Sequence, residues 1–277
     1  MESSHEKSNK AISSEMYLSR HCIATYFQDA VEQLLESKPK NTKLDPNAFL
    51  YEYFKSVHDG TNVFYREYSY IFATPRNRSA FIRNFWLTFK HLGNQAEHLL
   101  GEHDYYSLLC ILCPDFDRGI LQNTVNTVLM DDATDCVISM SDFIYVFQLQ
   151  LYYAEFCDVC LQNFNKLHGS LSTSGGSTGT TMNASGEYTR REVRKSCSKS
   201  DQVSSALWYN YLKDELYIKI PEYSVPSERV LCSVFNAYSK LNFYGFMSVL
   251  SKDEDVIRTI GALPVLSSTS GVVGRVT

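Results

Sequence analysis

The amino-acid sequence predicts an all-α protein. Apolar side chains recur at steps of three and four residues through most of the chain, as they do on one face of an α-helix. Two segments, Asp45-Pro46 and Thr74-Pro75, pair a helix-capping residue with a proline at the first helical position. Few segments alternate apolar and polar residues as β-strands do. Helices packed on helices are therefore the predicted architecture.

Composition narrows the class of protein. With 277 residues, 44% of them hydrophobic, the chain can build one large or two modest cores. The net charge of −5 argues against a dedicated nucleic-acid binder. No secretory signal starts the sequence, and no run of 18 apolar residues predicts a membrane span. The eight cysteines are then expected to be reduced thiols in the cytosol or nucleus.

The first predicted domain, residues 15–60, follows a segment (1–14) expected to be disordered. A helix from Met16 to Ser37 and a second helix opened by Asp45-Pro46 form an antiparallel hairpin, which is too small to bury both of its apolar stripes. The stripes are expected to dock a partner helix, to pair with a second hairpin in a homodimer, or to pack on the rest of the chain. The candidate partner-binding residues are Phe27, Val31, Leu34, Phe49, Tyr53 and Phe54.

A 38-residue repeat organises the predicted body, residues 61–168. The body's predicted helices include one opened by Thr74-Pro75 and others at about 103–113, 118–130 and 142–166. Two twelve-residue segments, Gly93–Asp104 and Asp131–Asp142, each have an aliphatic residue at position eight and a carboxylate at position twelve. This is the layout of paired EF-hands, in which the position-eight residues, Leu100 and Ile138, form a short β-bridge. Both segments lack much of the oxygen-ligand pattern, so we expect a degenerate pair and no bound metal.

The remaining sequence predicts a linker and further helices. Residues 169–203 are rich in Gly and Ser and then basic, and are expected to be a flexible linker. Residues 204–265 predict helices, one opened by Pro226, one at Phe243–Leu250 and one after a capping box at Ser251–Glu254, before a tail at 266–277. The basic residues are candidates for a weak electrostatic contact with an acidic polymer surface, such as a microtubule or actin: Arg190, Arg191, Arg194 and Lys195.

The sequence contains two cysteine pairs with the spacing of a metal site and none of the common catalytic motifs. Cys110 with Cys113, and Cys157 with Cys160, have the spacing of a zinc site, but both pairs lie in apolar helical runs and are predicted to be core residues. The motifs of α/β-hydrolases, P-loop enzymes and dinucleotide-binding enzymes do not occur. We therefore expect no enzyme activity and no cofactor.

Two resemblances make the function more specific. Phe49–Phe54 after Leu34-Leu35-Glu36 resembles the dimerisation/docking hairpin of the regulatory subunits of cAMP-dependent protein kinase, a family in which paired hairpins receive an amphipathic helix. Over most of its folded length the chain also resembles the family of the centriolar-satellite-associated regulator of the tubulin polyglutamylase complex. The residues that carry this second resemblance are Tyr17-Leu18, Arg20-His21, Asp29-Ala30-Val31, Glu52-Tyr53-Phe54, Ala73–Arg78, Leu112–Phe116, Val128–Ala133, Ser141-Asp142-Phe143, Phe243–Phe246 and Gly261–Pro264.

The second resemblance implies a non-catalytic scaffold or regulator. Its expected partners are subunits of the tubulin polyglutamylase complex and proteins of centriolar satellites, with microtubules or actin as further candidates and with no nucleic acid or membrane. The expected location is the cytoplasm and cytoskeleton, at the centrosome and its satellites, with effects on cilia. The alternative function is a calcium-responsive, EF-hand-like adaptor for other cytoskeletal partners, and a zinc-stabilised domain is a third.

Overall fold

The computed structural model is mostly helical, as predicted. It describes residues 14, 17–18, 21–40, 43–94, 99–130, 136–173, 201–219 and 224–263. The chain divides into an N-terminal unit, Met1–Asn62, and a C-terminal unit, Val63–Thr277. The predicted basic contact residues Arg190, Arg191, Arg194 and Lys195 lie outside the described residues. Within the described part, no helix is both long and apolar enough to cross a membrane.

Among its described residues, the N-terminal unit contains helices α1 (Ile23–Ser37) and α2 (Pro46–Asp59). The predicted cap of α2 is confirmed, because the Asp45 carboxylate accepts a hydrogen bond from the backbone N–H of Asn47. The prediction of a continuous helix from Met16 is wrong. Cys22 has a left-handed backbone (φ 51°) immediately before α1, and such a residue interrupts a right-handed helix.

The C-terminal unit contains helices interrupted by four two-residue strands in its described residues. In chain order these elements are α3 (Tyr68–Phe72), α4 (Pro75–Phe89), a 3-10 turn (Lys90–Asn94), β1 (Leu99–Leu100), α5 (Glu102–Leu112), α6 (Arg118–Leu129), β2 (Ile138–Ser139), α7 (Met140–Tyr152), α8 (Ala154–Thr173), β3 (Val203–Ser204), α9 (Ser205–Lys219), α10 (Glu228–Ala237), β4 (Lys240–Leu241), α11 (Phe243–Ser251) and α12 (Glu254–Ile260). One continuous hydrophobic core runs through this unit.

Two predicted boundaries in this unit are wrong around α8. The helix expected over 142–166 breaks at Tyr153, which leaves the helical conformation (φ −105°, ψ 36°). The Tyr152 carbonyl at this break accepts a hydrogen bond from the Arg78 guanidinium at 3.0 Å. The helix α8 then continues to Thr173, into the segment predicted as a linker from residue 169. The periodicity of apolar residues does not reveal this break, because the donor, Arg78, lies 74 positions before Tyr152 in the sequence.

Helix boundaries elsewhere follow the sequence with three exceptions. The helix expected to open at Pro226 begins at Glu228, because its cap is Ser227, whose hydroxyl accepts from the N–H of Val230. Thr74 caps α4 as predicted, since its hydroxyl accepts from the N–H of Asn77 at 3.0 Å. The expected capping box at Ser251 is wrong, because Ser251 is the buried last residue of α11 and the cap of α12 is Asp253, which accepts from two backbone N–H groups. Cys113 lies just after α5 in extended conformation rather than within a helix.

Two small antiparallel bridges join successive helix–strand–helix units. Leu100 pairs with Ile138 in the first bridge, and Val203 pairs with Leu241 in the second. The partners are 38 residues apart in both bridges. The second bridge has the same arrangement as the first, although the repeat predicted from the sequence covers only Leu100 and Ile138.

An aromatic residue lies five positions after each of the four bridge residues, Leu100, Ile138, Val203 and Leu241. All four rings are fully buried, and those within one pair of units touch: the Tyr105 and Phe143 rings stack at 3.9 Å, and the Trp208 and Phe246 rings lie 4.8 Å apart. The Tyr105 hydroxyl donates to the Ile138 carbonyl. The C-terminal unit is therefore built from two related pairs of helix–strand–helix units.

Candidate partner-binding surface

The facing sides of α1 and α2 form a small buried seam in the N-terminal unit. Tyr26 and Ala30 from α1 meet Tyr53 and Val57 from α2. The Tyr53 hydroxyl donates a hydrogen bond of 2.6 Å to the Asp29 carboxylate, which satisfies a polar group that the seam would otherwise bury alone. This bond joins residues 24 positions apart and fixes the register of the two helices. Among the predicted partner-binding residues, Tyr53 thus lies in the seam.

Phe27 and Phe54 lie at the edge of this seam. Their ring centroids are 4.9 Å apart, and the Phe54 ring also meets the Tyr53 ring edge-on at 5.3 Å. Phe54 is half-buried, whereas 52% of the Phe27 surface is exposed. Of the other predicted residues, Phe49 and Leu34 are half-buried. Phe54 therefore supports the hairpin as well as bordering its surface.

An apolar stripe runs along the solvent side of α1. Phe27, Val31 and Leu35 follow one another at four-residue steps, and their exposed fractions are 52%, 47% and 62%. We call these three residues the hairpin stripe. Leu35 is absent from the predicted site, although it lies one helical turn after Val31 and helical spacing alone was sufficient to include it. Further exposed apolar side chains of the unit are Tyr17, Leu18 and Tyr51.

Acidic and amide side chains border the hairpin stripe. Gln28 and Glu32, both exposed, hydrogen-bond to each other at 3.0 Å, and Glu36 is exposed one turn further on. A partner would meet an apolar strip with carboxylates beside it. This pattern suits an amphipathic helix that carries cations beside its apolar face.

The carboxylates at position twelve of the predicted EF-hand-like loops serve as helix caps. The Asp104 side chain accepts from the N–H of Gly101 at 3.0 Å, and the Asp142 side chain accepts from the Ser139 hydroxyl at 2.7 Å. The Ser139 hydroxyl in turn accepts from the N–H of Asp142. Across the part of the chain that the structure describes, no three His, Cys, Asp or Glu residues are grouped to hold a metal ion.

Three of the four cysteines with zinc-like spacing are buried. Cys157 and Cys160 are fully buried on α8, and burial raises the pKa of both thiols well above the ordinary value. Burial and a contact with Asp115 raise the pKa of Cys113 to about 12. Cys113, Cys157 and Cys160 belong to the hydrophobic core of the C-terminal unit, as predicted. The prediction of a core position for Cys110 is wrong, because that residue is only half-buried.

The segment Thr74–Arg78 is a structural joint. Asn77 donates to the Tyr70 carbonyl, and Arg78 donates to the Phe72 carbonyl at 2.8 Å, so both side chains tie α3 to α4. The Arg78 guanidinium also forms a two-pronged ion pair with Glu155 on α8 and lies 3.8 Å from the centre of the Phe72 ring. A buried arginine is tolerated because its donors are used in this way.

The fold and this surface together define a helical protein with an exposed apolar hairpin face and a body of helix–strand–helix units. Residues 10–60 match the model of the CSTPP1 N-terminal domain. The protein called centriolar satellite-associated tubulin polyglutamylase complex regulator 1 is 37% identical in Bos taurus over 251 residues, 90% of this chain and 74% of the relative. In Homo sapiens and Danio rerio it is 36% identical, over 90% of this chain and 73% of the relative. The chain belongs to this regulator family. No solved structure matches it significantly.

Proposed function

We propose that this chain is a non-catalytic scaffold that binds subunits of a tubulin polyglutamylase complex and regulates its assembly. The name of the relatives includes both the tubulin polyglutamylase complex and the centriolar satellite. The observation that carries the proposal is the hairpin stripe, an exposed apolar strip on a unit that coincides closely with the family's N-terminal domain, residues 10–60. Centriolar satellites, the centrosome and the surrounding cytoplasm are the proposed location.

Burial of the hairpin stripe would supply useful binding energy. Fully burying a Phe, Val or Leu side chain contributes about 1.5–3 kcal/mol, and each residue of the stripe has roughly half of its surface to bury. Together they would contribute on the order of 2–4 kcal/mol, which corresponds to an affinity change of roughly 30- to 1,000-fold. The partner that we propose is an amphipathic helix of a complex subunit, laid along α1 with its cations toward Glu32 and Glu36.

The C-terminal unit is proposed to be the rigid body of the scaffold. We interpret its first pair of units as a degenerate EF-hand-like pair, since Leu100 and Ile138 pair as the position-eight residues of EF-hands do. The second bridge extends this interpretation to the pair that contains Trp208 and Phe246. In this proposal aromatic packing at the bridges replaces the rigidity that bound calcium gives to an EF-hand pair.

Pull-down of the tagged full-length chain from ciliated cells tests the proposed function. The test variant is Val31→Asp/Leu35→Asp, because both side chains are exposed and their replacement leaves the buried seam intact. The matched control is Gln28→Ala/Glu32→Ala on the same helix. Phe54→Ala is less suitable, since Phe54 packs on Phe27 and its loss would also weaken the hairpin.

Mass spectrometry of the captured proteins gives the result. We expect the wild type and the control to retain glutamylase subunits and the aspartate variant to lose them at least tenfold, with an unchanged circular dichroism spectrum. Equal recovery by all three proteins would refute the hairpin stripe as the docking surface. Absence of the complex from the wild-type capture would refute the scaffold function. Capture of only a second copy of this chain would identify the stripe as a homodimer interface.

A further inference from the structure

A second candidate binding surface lies at the C-terminal end of α5. The backbone N–H of Tyr65 donates a hydrogen bond of 3.1 Å to the carbonyl of Leu112, the last residue of that helix. The Tyr68 N–H likewise donates to the Asp115 carboxylate at 2.9 Å. The segment that enters α3 therefore runs beside the segment that leaves α5, and side chains from both segments contribute to one surface.

The ring of Tyr65 projects from this surface. Tyr65 is the most exposed large hydrophobic residue in the part of the chain that the structure describes, with 75% of its surface accessible. Its backbone is left-handed (φ 56°), a conformation that an aromatic residue rarely adopts. The hydrogen bond to Leu112 and the packing of the neighbouring Phe64 on the core hold this backbone in place. A ring presented from a fixed backbone loses little entropy when a partner binds it.

Apolar side chains of the second segment extend the surface. Ile111, in the last turn of α5, is 54% exposed, and Pro114 is exposed just after the helix ends. We call Tyr65, Ile111 and Pro114 the α5-end patch. Unlike the hairpin stripe, it is not a row of residues along one helix, so it suits a short extended segment better than a partner helix.

Negative charge without a cationic partner borders the α5-end patch. Glu67, Asp115 and Asp117 are exposed, and none of them forms an ion pair with a residue that the structure describes. Asp115 and Asp117 accept hydrogen bonds from backbone N–H groups, which are neutral and leave the charges in place. The last turn of α5 contains no basic residue, so the negative end of the helix dipole adds to these charges.

The basic residues next to these carboxylates in sequence are directed elsewhere. The Arg66 guanidinium lies 3.6 Å from the centre of the Tyr70 ring. The Arg118 guanidinium pairs with the Glu102 carboxylate at 3.1 Å. The surface around the patch is therefore complementary to a ligand that brings its own cations.

We propose that the α5-end patch binds a basic linear peptide of a partner protein, with arginines at alternate positions around an apolar residue. The exposed Tyr65 ring offers a face to a guanidinium, and the bordering carboxylates accept hydrogen bonds from a second one. Ile111 and Pro114 offer contact to the apolar residue. In an extended peptide, alternate side chains lie on one side about 7 Å apart, so cations and apolar residue reach the patch together.

Fluorescence anisotropy with the purified full-length chain tests this proposal. The probe is a labelled nonapeptide, Arg-Ser-Arg-Ser-Leu-Ser-Arg-Ser-Arg, and the control peptide has Glu in place of each Arg. The test variant is Tyr65→Ala, and the matched control is Tyr51→Ala, which removes a 67% exposed ring from α2. We expect Tyr51→Ala to bind within about twofold of the wild type and Tyr65→Ala at least about fivefold more weakly, with wild-type binding falling as salt rises.

Two further variants separate binding from folding and from the hairpin stripe. Tyr65→Gly removes the ring and suits the left-handed backbone, so we expect the same loss of binding with no decrease in the urea midpoint. Val31→Asp/Leu35→Asp alters only the hairpin stripe and should bind the nonapeptide at least as well as the wild type.

Each other outcome overturns the assignment. Equal affinity of Tyr65→Ala and the wild type, or equal weakening by Tyr51→Ala, would show that the Tyr65 ring is not the contact. Loss of binding only in the hairpin variant would assign the peptide to the hairpin stripe, and equal binding of the Glu-containing peptide would exclude recognition by charge. A lower urea midpoint of Tyr65→Gly would give the ring a structural role, and no binding by the wild type would exclude such a site. The assay omits the complex, so its failure is distinct from failure of the hairpin pull-down.

Discussion

The buried ion pair between Arg78 and Glu155 provides the sharpest test of the fold. The Arg78 side chain is 5% exposed and donates to two carbonyls and to both oxygens of Glu155. Replacing Arg78 by Met keeps most of the volume and removes every donor. The carbonyls of Phe72 and Tyr152 then lose a partner, at about 1–3 kcal/mol each when buried.

The expected loss in the free energy of unfolding for Arg78→Met is about 3–5 kcal/mol, the range for breaking a buried pair. Glu155→Gln should cost less, about 1–3 kcal/mol, because glutamine keeps one acceptor oxygen and Arg78 keeps both carbonyls. Since 38% of the Glu155 side chain is exposed, water can hydrate the carboxylate left alone in Arg78→Met. Because both changes remove the same ion pair, their effects should be non-additive by at least about 1 kcal/mol.

Urea unfolding of the full-length protein, followed by circular dichroism, measures these differences. The matched control is Arg258→Met, which removes an ion pair to Asp255 whose arginine is 73% exposed and should cost no more than about 1 kcal/mol. Equal small losses for Arg78→Met and Arg258→Met would refute the structural role of the joint. So would strict additivity of Arg78→Met and Glu155→Gln.

Two further predictions concern the hairpin and the thiols. Tyr53→Phe removes the hydrogen bond to Asp29, so we expect α1 and α2 to lose about 1–2 kcal/mol of protection in amide hydrogen exchange of the full-length chain; unchanged exchange would contradict the seam. In native protein at pH 8.5, iodoacetamide should modify the exposed Cys136 at least 100-fold faster than Cys157 and Cys160, because burial raises the pKa of the last two thiols well above that pH. Rapid native modification of Cys157 or Cys160, measured by peptide mass spectrometry, would contradict their burial.

Local signals predicted the elements whose determinants are close in sequence. The caps at Asp45 and Thr74 depend on a side chain and a backbone N–H two or three residues away, and both form as expected. The 38-residue repeat placed Leu100 and Ile138 at corresponding positions, and they pair in the structure. Where a break involved a distant residue, as at Tyr153, prediction from the sequence was wrong. At Ser251 the prediction was wrong although the actual cap, Asp253, binds N–H groups only two and three residues away.

The repeat predicted from the sequence does not include the second pair of helix–strand–helix units, and the reason is chemical. Carboxylates at position twelve are part of the pattern that identifies the first repeat, whereas the corresponding positions of the second pair hold Leu207 and Gly245. Only the bridge residues and the buried Trp208 and Phe246 retain the pattern. An aliphatic residue followed five positions later by an aromatic is too common to identify such a unit by itself.

The candidate docking surface was predicted as a set of residues but not as a face. Helical spacing groups Phe27 with Val31 on the first helix and Tyr53 with Phe54 on the second. Apolar character alone does not show which of these four side chains point inward. The hydrogen bond from Tyr53 to Asp29 turns that ring into the seam and leaves Phe27, Val31 and Leu35 toward solvent.

The sequence by itself determined the helical class, the apolar faces and several caps, because periodicity and capping act over one or two turns of chain. Its resemblance to a regulator family was also carried by residues in order along the chain. Only the tertiary structure decided that Arg78 meets Glu155, that Val203 meets Leu241 and that Tyr53 meets Asp29. Those facts depend on which distant side chains share one volume, and burial and ion pairing are properties of that packing.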